Sequence, residues 1–381
     1  MSGPQTSPPT PRAPGTVKIG TIAGSDVLVS SSWFLVAGLI AVVMAPRAEA
    51  VHPGLGPWKY VAGLAFAVVL YLSVLLHEAS HAYMARHYGF PVSSITLHFL
   101  GGVTAIEAEA KKPRQEFWIA VVGPLSSFGV GLVALALWFV VPDGLLLMVV
   151  EGLAFGNLFI GVLNLVPGLP LDGGRVLKSA VWQLTGSLHR GTVVAAWGGR
   201  VTAVAVLLWP LAQQTLWDEP PDVFNFVLAF VVGFFLWNGA TASLQAAKIR
   251  RRLPVLVARN LARRALEVPE DLPLAEAVRQ AREAQAGAIV TVTGSGRPVG
   301  VVNEAALVAT PEDRRPWLAV STVARGVDGG VSLPVGISGE DLVQAITRTP
   351  ATEYLLVEDD GSVYGVLATA DVDRAFRAAP G

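Results

Sequence analysis

The chain has 381 residues, of which 52% are hydrophobic and only 15% are charged, and its mean hydropathy is +0.52. This composition excludes an ordinary soluble domain, and a net charge of −1 without long basic blocks argues against nucleic acid as a partner. Cysteine is absent, which excludes disulfides and thiolate metal sites and leaves histidine and carboxylate as the ligands for a transition metal.

Apolar residues are concentrated before about residue 245, whereas charged residues recur every few positions after Lys248. We therefore predict four parts of unlike composition. They are a disordered cytoplasmic tail at residues 1–17, a transmembrane unit at 18–247, a basic linker at 248–261 and a C-terminal domain at 262–381.

A helix that crosses a bilayer needs roughly 20 mostly apolar residues. Six stretches meet or approach this length, namely residues 27–45, 58–86, 117–141, 145–166, 193–216 and 222–246. If both termini are cytoplasmic, most Lys and Arg of the connecting segments lie inside, as the positive-inside rule requires. The sequence thus predicts a polytopic α-helical protein of the cell membrane with six spans and cytoplasmic termini.

Near the cytoplasmic end of the second span the chain reads His77-Glu78-Ala79-Ser80-His81. Residues four apart share one face of a helix, so His77 and His81 can bind one metal ion while Glu78 projects beside it toward a water. The alternative is that these side chains only solvate a helix end. Because ionisable groups are costly inside a membrane, three of them within five residues favour a functional site.

The segment from residue 92 to 106 alternates apolar and polar residues and contains Gly101 and Gly102. This pattern fits either a short hairpin, whose edge can pair with an extended peptide, or an ordinary cytoplasmic loop. The acidic residues that follow, Glu107, Glu109 and Glu116, are expected to be solvated.

A catalytic zinc ion usually has three protein ligands, so one is still missing from the second span. The segment 164–175, at the end of the fourth span, contains Asn164 and Asp172 and is punctuated by Pro and Gly. In the predicted topology Asp172 lies on the same side of the membrane as His77 and His81. Alone, such a segment is typical of a turn, but its pairing with the histidine motif favours a third metal ligand.

The two motifs together resemble the site-2 protease family of intramembrane metalloproteases. The segment Gly123-Pro124-Leu125-Ser126-Ser127 and the Gly101-Gly102 pair also resemble that family, so the resemblance extends over roughly residues 20 to 245. It implies that His77, His81 and Asp172 bind one Zn²⁺ ion, that Glu78 is the general base and that Asn164 helps to position the substrate.

The resemblance further implies a reaction and a class of substrate. The protein would hydrolyse a peptide bond within or near the transmembrane segment of a membrane-tethered regulatory protein. A single-span anti-sigma factor or a membrane-bound transcription factor is the expected kind of partner.

After about residue 262 the pattern changes to two similar helix–strand–strand units, spaced about 65 residues apart, which indicates an internal repeat. The units comprise residues 274–278, 288–292 and 299–302, then 339–346, 354–357 and 364–367. They resemble a tandem pair of CBS domains, which are α+β modules that often bind adenine nucleotides.

The second copy carries the polar residues of the nucleotide pattern. Thr369 and Asp371 match the positions that hold phosphate and ribose, whereas both polar positions depart from the pattern in the corresponding run of the first copy, which begins Gly300-Val301-Val302-Asn303-Glu304-Ala305. The resemblance therefore implies at most one intact nucleotide site. The alternative is that the pair only dimerises the protein or docks its substrate.

Two other classes of protein are compatible with six spans and a CBS pair. In a transporter or channel, His77, Glu78 and Asp172 would form an ion site within the membrane. That hypothesis predicts polar residues on several spans, whereas here they collect in two motifs. A binding scaffold is the third class, but a scaffold has no need of Glu78.

Overall fold

The computed structural model describes residues 15–22, 24–98, 101–217, 222–327 and 331–379. The chain forms two compact units, residues 1–245 and 246–381. Of the tail expected at residues 1–17, residues 1–14 lie outside the described residues, and Thr16 and Val17 already belong to the first strand.

Among the described residues, six helices are long and apolar enough to cross a membrane. They are α1 (Ser31–Val51), α2 (Trp58–His87), α3 (Pro113–Trp138), α4 (Leu145–Asn164), α6 (Leu188–Trp217) and α7 (Val223–Arg252), with the shorter α5 (Asp172–Thr185) between α4 and α6. Only 17–39% of the most apolar part of each long helix is buried, and large apolar side chains cover the rest. Water solvates such a surface poorly, so the first unit is that of a multi-pass membrane protein.

The first span starts later than predicted. Residues 27–30 belong to a strand, and α1 begins at Ser31. The hydroxyl of Ser30 accepts a hydrogen bond from the backbone N–H of Ser32 at 3.4 Å and so caps the helix. The serines that interrupt the apolar run therefore mark a helix start.

A four-stranded sheet accompanies the helices, with strand order β1-β2-β3-β4. Its strands are β1 (Thr16–Ile22), β2 (Ser25–Ser30), β3 (Val92–His98) and β4 (Gly101–Ile106). β3 and β4 pair antiparallel, so residues 92–106 form the hairpin, and β2 pairs parallel with β3. The sequence patterns did not predict β1 or β2. β4 ends the sheet on the side that contacts α2.

The helix α5 is also absent from the sequence prediction, which treated residues 164–175 only as an interruption. It begins at Asp172 and ends at Thr185, and the capping residue Gly186 has a φ of +67°, a left-handed conformation that glycine adopts without strain. An acidic residue in the first turn is favoured by the helix dipole. The helix packs against α3 and α6, which fixes the position of Asp172.

The second unit contains two copies of one arrangement. Its helices are α8 (Ala258–Leu261), α9 (Leu274–Glu283), α10 (Glu304–Ala309), α11 (Gly339–Arg348) and α12 (Thr369–Ala378), and its strands are β5 (Ala265–Pro269), β6 (Ala288–Val292), β7 (Pro298–Val302), β8 (Ala324–Gly326), β9 (Ser332–Pro334), β10 (Glu353–Val357) and β11 (Val363–Ala368). β5 and β6 are parallel and joined through α9, as β9 and β10 are through α11. Each pair continues into an antiparallel hairpin, β6–β7 or β10–β11. The internal repeat that the sequence shows is therefore also a repeat of the structure.

The close packing of α1 on α2 yields a test of the transmembrane fold. A Cβ atom on Gly63 would lie 2.8 Å from the Ala41 Cα, whereas a Cβ on Gly38 would meet nothing within 4 Å. Because overpacking costs about 1–3 kcal/mol, Gly63→Leu is expected to lower the midpoint of thermal unfolding in detergent. The control Gly38→Leu should leave the midpoint near that of the wild type, and equal midpoints for the two variants would contradict this packing.

Candidate active site

The helix α2 presents three ionisable side chains on its inward side. His77, Glu78 and His81 are 4%, 8% and 4% exposed, so all three are buried in a helix whose other charged residues lie near its ends. His77 and His81 are one turn apart and direct their Nε2 atoms to the same point, 3.2 Å from each other.

The third group comes from a distant part of the chain. Asp172 Oδ2 lies 3.1 Å from His77 Nε2 and 3.2 Å from His81 Nε2. These three atoms form the one group of possible metal ligands found among the described residues. The structure therefore brings together the three residues that the sequence motifs single out.

The helix α3 fixes the orientation of both imidazole rings. His81 Nδ1 donates to the backbone carbonyl of Ile119 at 2.6 Å, and His77 Nδ1 lies 2.9 Å from the hydroxyl of Ser127. Between them, Gly123 leaves space for the rings, since a Cβ atom there would overlap His81 and lie 2.7 Å from His77 Nε2. Outer contacts of this kind hold metal-binding histidines in the correct tautomer.

The hydrogen bond at Ile119 is compatible with a cation between the three candidate ligand atoms. A carbonyl oxygen only accepts, so the proton of neutral His81 lies on Nδ1, and its Nε2 directs a lone pair at the Asp172 carboxylate. The spacing of 3.1–3.2 Å is close to the roughly 3.3 Å between ligands around a tetrahedral zinc ion.

The strand β4 holds Glu78 beside this group. Thr104 donates its hydroxyl to Glu78 Oε2 at 2.7 Å, and the same hydroxyl lies 3.1 Å from the Glu78 backbone carbonyl. Gly102 packs directly on the Glu78 side chain, where a Cβ would lie 2.8 Å from the carboxyl carbon. The carboxylate is thus fixed beside the three candidate ligand atoms and is not one of that group.

Asn164 is the last residue of α4 and is half-buried. The hydrogen bonds that join His77, His81 and Asp172 do not include it. Its predicted role in substrate positioning therefore stays a prediction.

The two candidate nucleotide residues of the second unit have partners within the protein. Thr369 donates its hydroxyl to the carbonyl of Ala351 at 2.7 Å. Asp371 accepts from Arg263 Nε at 2.6 Å and pairs with Arg374 at 2.9 Å. The hydrogen bond from Arg263 holds the pKa of Asp371 below its usual range.

A cavity of about 240 Å³ lies next to these residues. Its polar lining includes Arg263, Arg282, Glu304 and Glu353, and Ala368 lines it just before Thr369. Arg263 also donates to Glu304 at 2.9 Å, so one guanidinium joins the two copies of the repeat. Glu304 occupies the position at which the second copy has Thr369, and it places a carboxylate there.

Two protein families match separate parts of the chain. The profile of peptidase family M50 matches residues 65–146 and 140–208, a range that includes all three ligand atoms and Glu78. The CBS domain profile matches residues 258–310.

Relatives extend the match along the chain. A Synechocystis protein that is provisionally named a zinc metalloprotease is 28% identical over 379 residues, 95% of each chain. Rip3 of Mycobacterium tuberculosis, named in the same way, is 36% identical over 231 residues, 59% of this chain and 57% of Rip3. The chain belongs to peptidase family M50. It is a metalloprotease of the site-2 type with a C-terminal CBS domain.

A solved structure is similar to the M50 unit. The site-2 protease from Methanocaldococcus jannaschii is 26% identical, and the match covers 60% of this chain and 95% of that one with a TM-score of 0.42.

Two supporting residues of the M50 site were not singled out from the sequence. They are Thr104, which holds Glu78, and Ile119, whose backbone carbonyl holds His81. Gly123 and Ser127 belong to a segment that was noted for its resemblance to the family, but the sequence assigned no role to them. The structure shows that Gly123 leaves space for the histidines and that Ser127 contacts His77.

The expectation that Glu116 is solvated is wrong. It is 5% exposed and pairs with Arg175 at 3.0 Å and with Lys178 at 2.7 Å. No sequence pattern predicted α5, and α5 is the element that brings both cations to Glu116.

Gly123 gives the sharpest test of the M50 metal centre. Gly123→Ala is expected to displace the imidazoles and to lower the zinc content of the purified protein by at least tenfold at limiting metal, because the added methyl occupies the space of the rings. Gly129→Ala is the matched control on the same helix, where a Cβ meets nothing within 4 Å. Metal analysis after equilibration with a zinc buffer measures both, and full zinc occupancy in Gly123→Ala would contradict this geometry.

Proposed function

We propose that this M50 peptidase hydrolyses a peptide bond within or near the transmembrane segment of a membrane-tethered protein. His77, His81 and Asp172 would hold one zinc ion, and Glu78 would act as general base. The observation that carries the proposal is the convergence of two imidazole nitrogens and one carboxylate oxygen within 3.1–3.2 Å of one another, directly beside a fourth buried ionisable group.

The donor set fits zinc. Two nitrogens and one oxygen satisfy the three protein ligands that catalytic zinc sites usually have, and they leave a fourth position open. When bound, zinc polarises the peptide carbonyl and lowers the pKa of water toward neutrality.

Glu78 is proposed to transfer the proton of the attacking water. Glu78 takes a proton from the attacking water and later delivers it to the amine that leaves. Thr104 restrains one carboxylate oxygen by its hydrogen bond, so the other oxygen, Oε1, is the better placed to accept. The pairing also explains why the strand β4 lies against α2.

The strand β4 supports a mode of substrate binding. A peptide bond inside a transmembrane helix is shielded by the helix's own hydrogen bonds, so the substrate must be extended before it is cut. β4 ends its sheet next to Glu78, and an unwound substrate can add there as a further strand. Asn164 is proposed to contact the substrate from α4.

The orientation of the chain in the membrane is proposed from its basic residues, and the class of substrate is proposed from the family resemblance. The basic residues at 248–252 favour a cytoplasmic end of α7, and with it cytoplasmic termini and a site near the cytoplasmic face. A single-span regulator, such as an anti-sigma factor or a membrane-bound transcription factor, is the proposed substrate.

The catalytic assignment is tested by pairing metal content with cleavage of a single-span reporter in vesicles. Glu78→Gln is expected to keep about one zinc per chain and to lose activity by at least a factor of 100, because the base is gone while the ligands stay. Asp172→Ala is expected to lose both zinc and activity.

Glu107→Gln is the control, since it makes the same chemical change at an exposed position outside the site. Normal cleavage by Glu78→Gln, or a wild type without zinc, would contradict the catalytic assignment.

We also propose that the CBS pair modulates the peptidase by binding an adenine nucleotide at Thr369 and Asp371. The adjacent cavity and the cationic Arg263 and Arg282 in its lining support an anionic ligand there. Binding would compete with Arg263 for Asp371, and it would therefore loosen the contact that joins the two copies.

Nucleotide binding is measured by calorimetry with AMP and ATP on the full chain. Thr369→Ala combined with Asp371→Asn is expected to weaken binding at least tenfold, because both polar contacts are removed. Asp373→Asn, an exposed neighbour on α12, is the control. If the wild type binds neither nucleotide, the pair serves association of two copies or docking instead.

A further inference from the structure

A cluster of three charged residues lies one helical turn from the proposed metal ligands. Glu116 on α3 pairs with Arg175 and Lys178 of α5 at 3.0 and 2.7 Å. The side chains are 7%, 26% and 17% exposed respectively, so the carboxylate is buried and both cations are partly buried.

The cluster contains two cations and one carboxylate. A buried charge is costly without a partner, and one carboxylate neutralises one cation. Asp172 is directed at the two histidines and does not hydrogen-bond to either cation. Among the described residues, both cations therefore share one carboxylate oxygen as their ion-pair partner.

Arg175 is the cation nearer to Asp172 along α5. It lies three residues after Asp172 and therefore on the same side of α5, whereas Lys178 is a further turn away. Burial lowers the pKa of Arg175, but Glu116, Asp172 and Glu78 together raise it above its usual value, which shows that all three carboxylates lie within electrostatic range.

The guanidinium of Arg175 has N–H groups that no described residue accepts from. Only Nε is used, in the hydrogen bond to Glu116, and neither terminal nitrogen donates to a described residue. Glu116 thus fixes the plane of the guanidinium and leaves its two NH₂ groups available to a ligand.

We propose that the terminal NH₂ groups of Arg175 donate hydrogen bonds to the carbonyl oxygen of the peptide bond being cut. The inference rests on the proposed function. As the water oxygen bonds to the carbonyl carbon, its proton passes to Glu78 and the π electron pair moves onto the carbonyl oxygen. Arg175 stabilises that negative charge. When the C–N bond breaks, the pair returns to form the carboxyl group, and the amine nitrogen receives the proton from Glu78.

The matched control is built into the cluster. Lys178 shares the same carboxylate partner on the same helix, so Lys178→Gln removes an equal charge and an equal ion pair. A residue that only anchors α5 would give the same result at either position. A residue that contacts the reacting oxygen would not.

The experiment measures kcat, KM and zinc content for the wild type, Arg175→Gln, Arg175→Lys and Lys178→Gln with the single-span reporter. Loss of one preorganised donor to an oxyanion typically lowers kcat by about 10²–10³-fold. We expect that loss in Arg175→Gln, with zinc content and KM nearly unchanged. Arg175→Lys should recover part of it, and Lys178→Gln should stay within about threefold of the wild type.

Equal kcat values for Arg175→Gln and Lys178→Gln would overturn the inference, as would a loss of zinc in Arg175→Gln that accounts for its loss of activity. An inactive wild type would instead contradict the proposed function, because that result precedes any comparison of variants.

Discussion

The proposed metal site depends on two imidazole nitrogens and one carboxylate oxygen that lie close together. Each of these atoms would bind a metal ion through a lone pair, so none of them can carry a proton while the metal is bound. His77 and His81 come from one helix, and Asp172 follows 91 residues after His81 in the chain. Burying three such atoms 3.1–3.2 Å from one another is costly unless a cation lies between them. A cation offsets that cost only if each of the three atoms is held in position. Much of the first unit can be understood as the means of holding them.

The helix α3 supplies most of that support through one face. Ile119 and Ser127 fix the two imidazoles from behind, and Gly123 allows the helix to approach them. Glu116, at the start of the same face, attaches α5 through Arg175 and Lys178. Because α5 begins with Asp172, the ion pair and the third ligand are positioned by one rigid element. Glycines at 198, 199 and 239 make a similar close approach to residues 167–170, which precede Asp172.

The sequence singled out three residues that the structure brings together, because the candidate ligands are side chains of distinctive type at fixed spacing. His77 and His81 at a separation of four, and a lone Asp172 after prolines, are visible without coordinates. The number of spans and the repeat in the second unit were visible for the same reason, since both follow from apolar length or alternation. The strands β1 and β2 were missed because the apolar residues 27–29 continue into the span, and only the cap at Ser30 separates strand from helix.

The supporting shell was beyond sequence reasoning for a different reason. Its contacts join residues of ordinary type, such as Thr104 to Glu78, across segments whose proximity depends on the complete fold. Glu116 was wrongly expected to be solvated because its partners lie on α5, a helix too short and too polar to register as a span.

X-ray absorption at the zinc edge tests the central claim most directly. Purified wild-type protein is expected to contain about one zinc per chain, with two imidazole nitrogens at about 2.0–2.1 Å and carboxylate or water oxygens at about 2.0–2.2 Å in the first shell. Asp172→Asn should alter the oxygen shell and leave both imidazoles in place. Absence of zinc, or a spectrum that is unchanged when His77 and His81 are both replaced by alanine, would contradict the account.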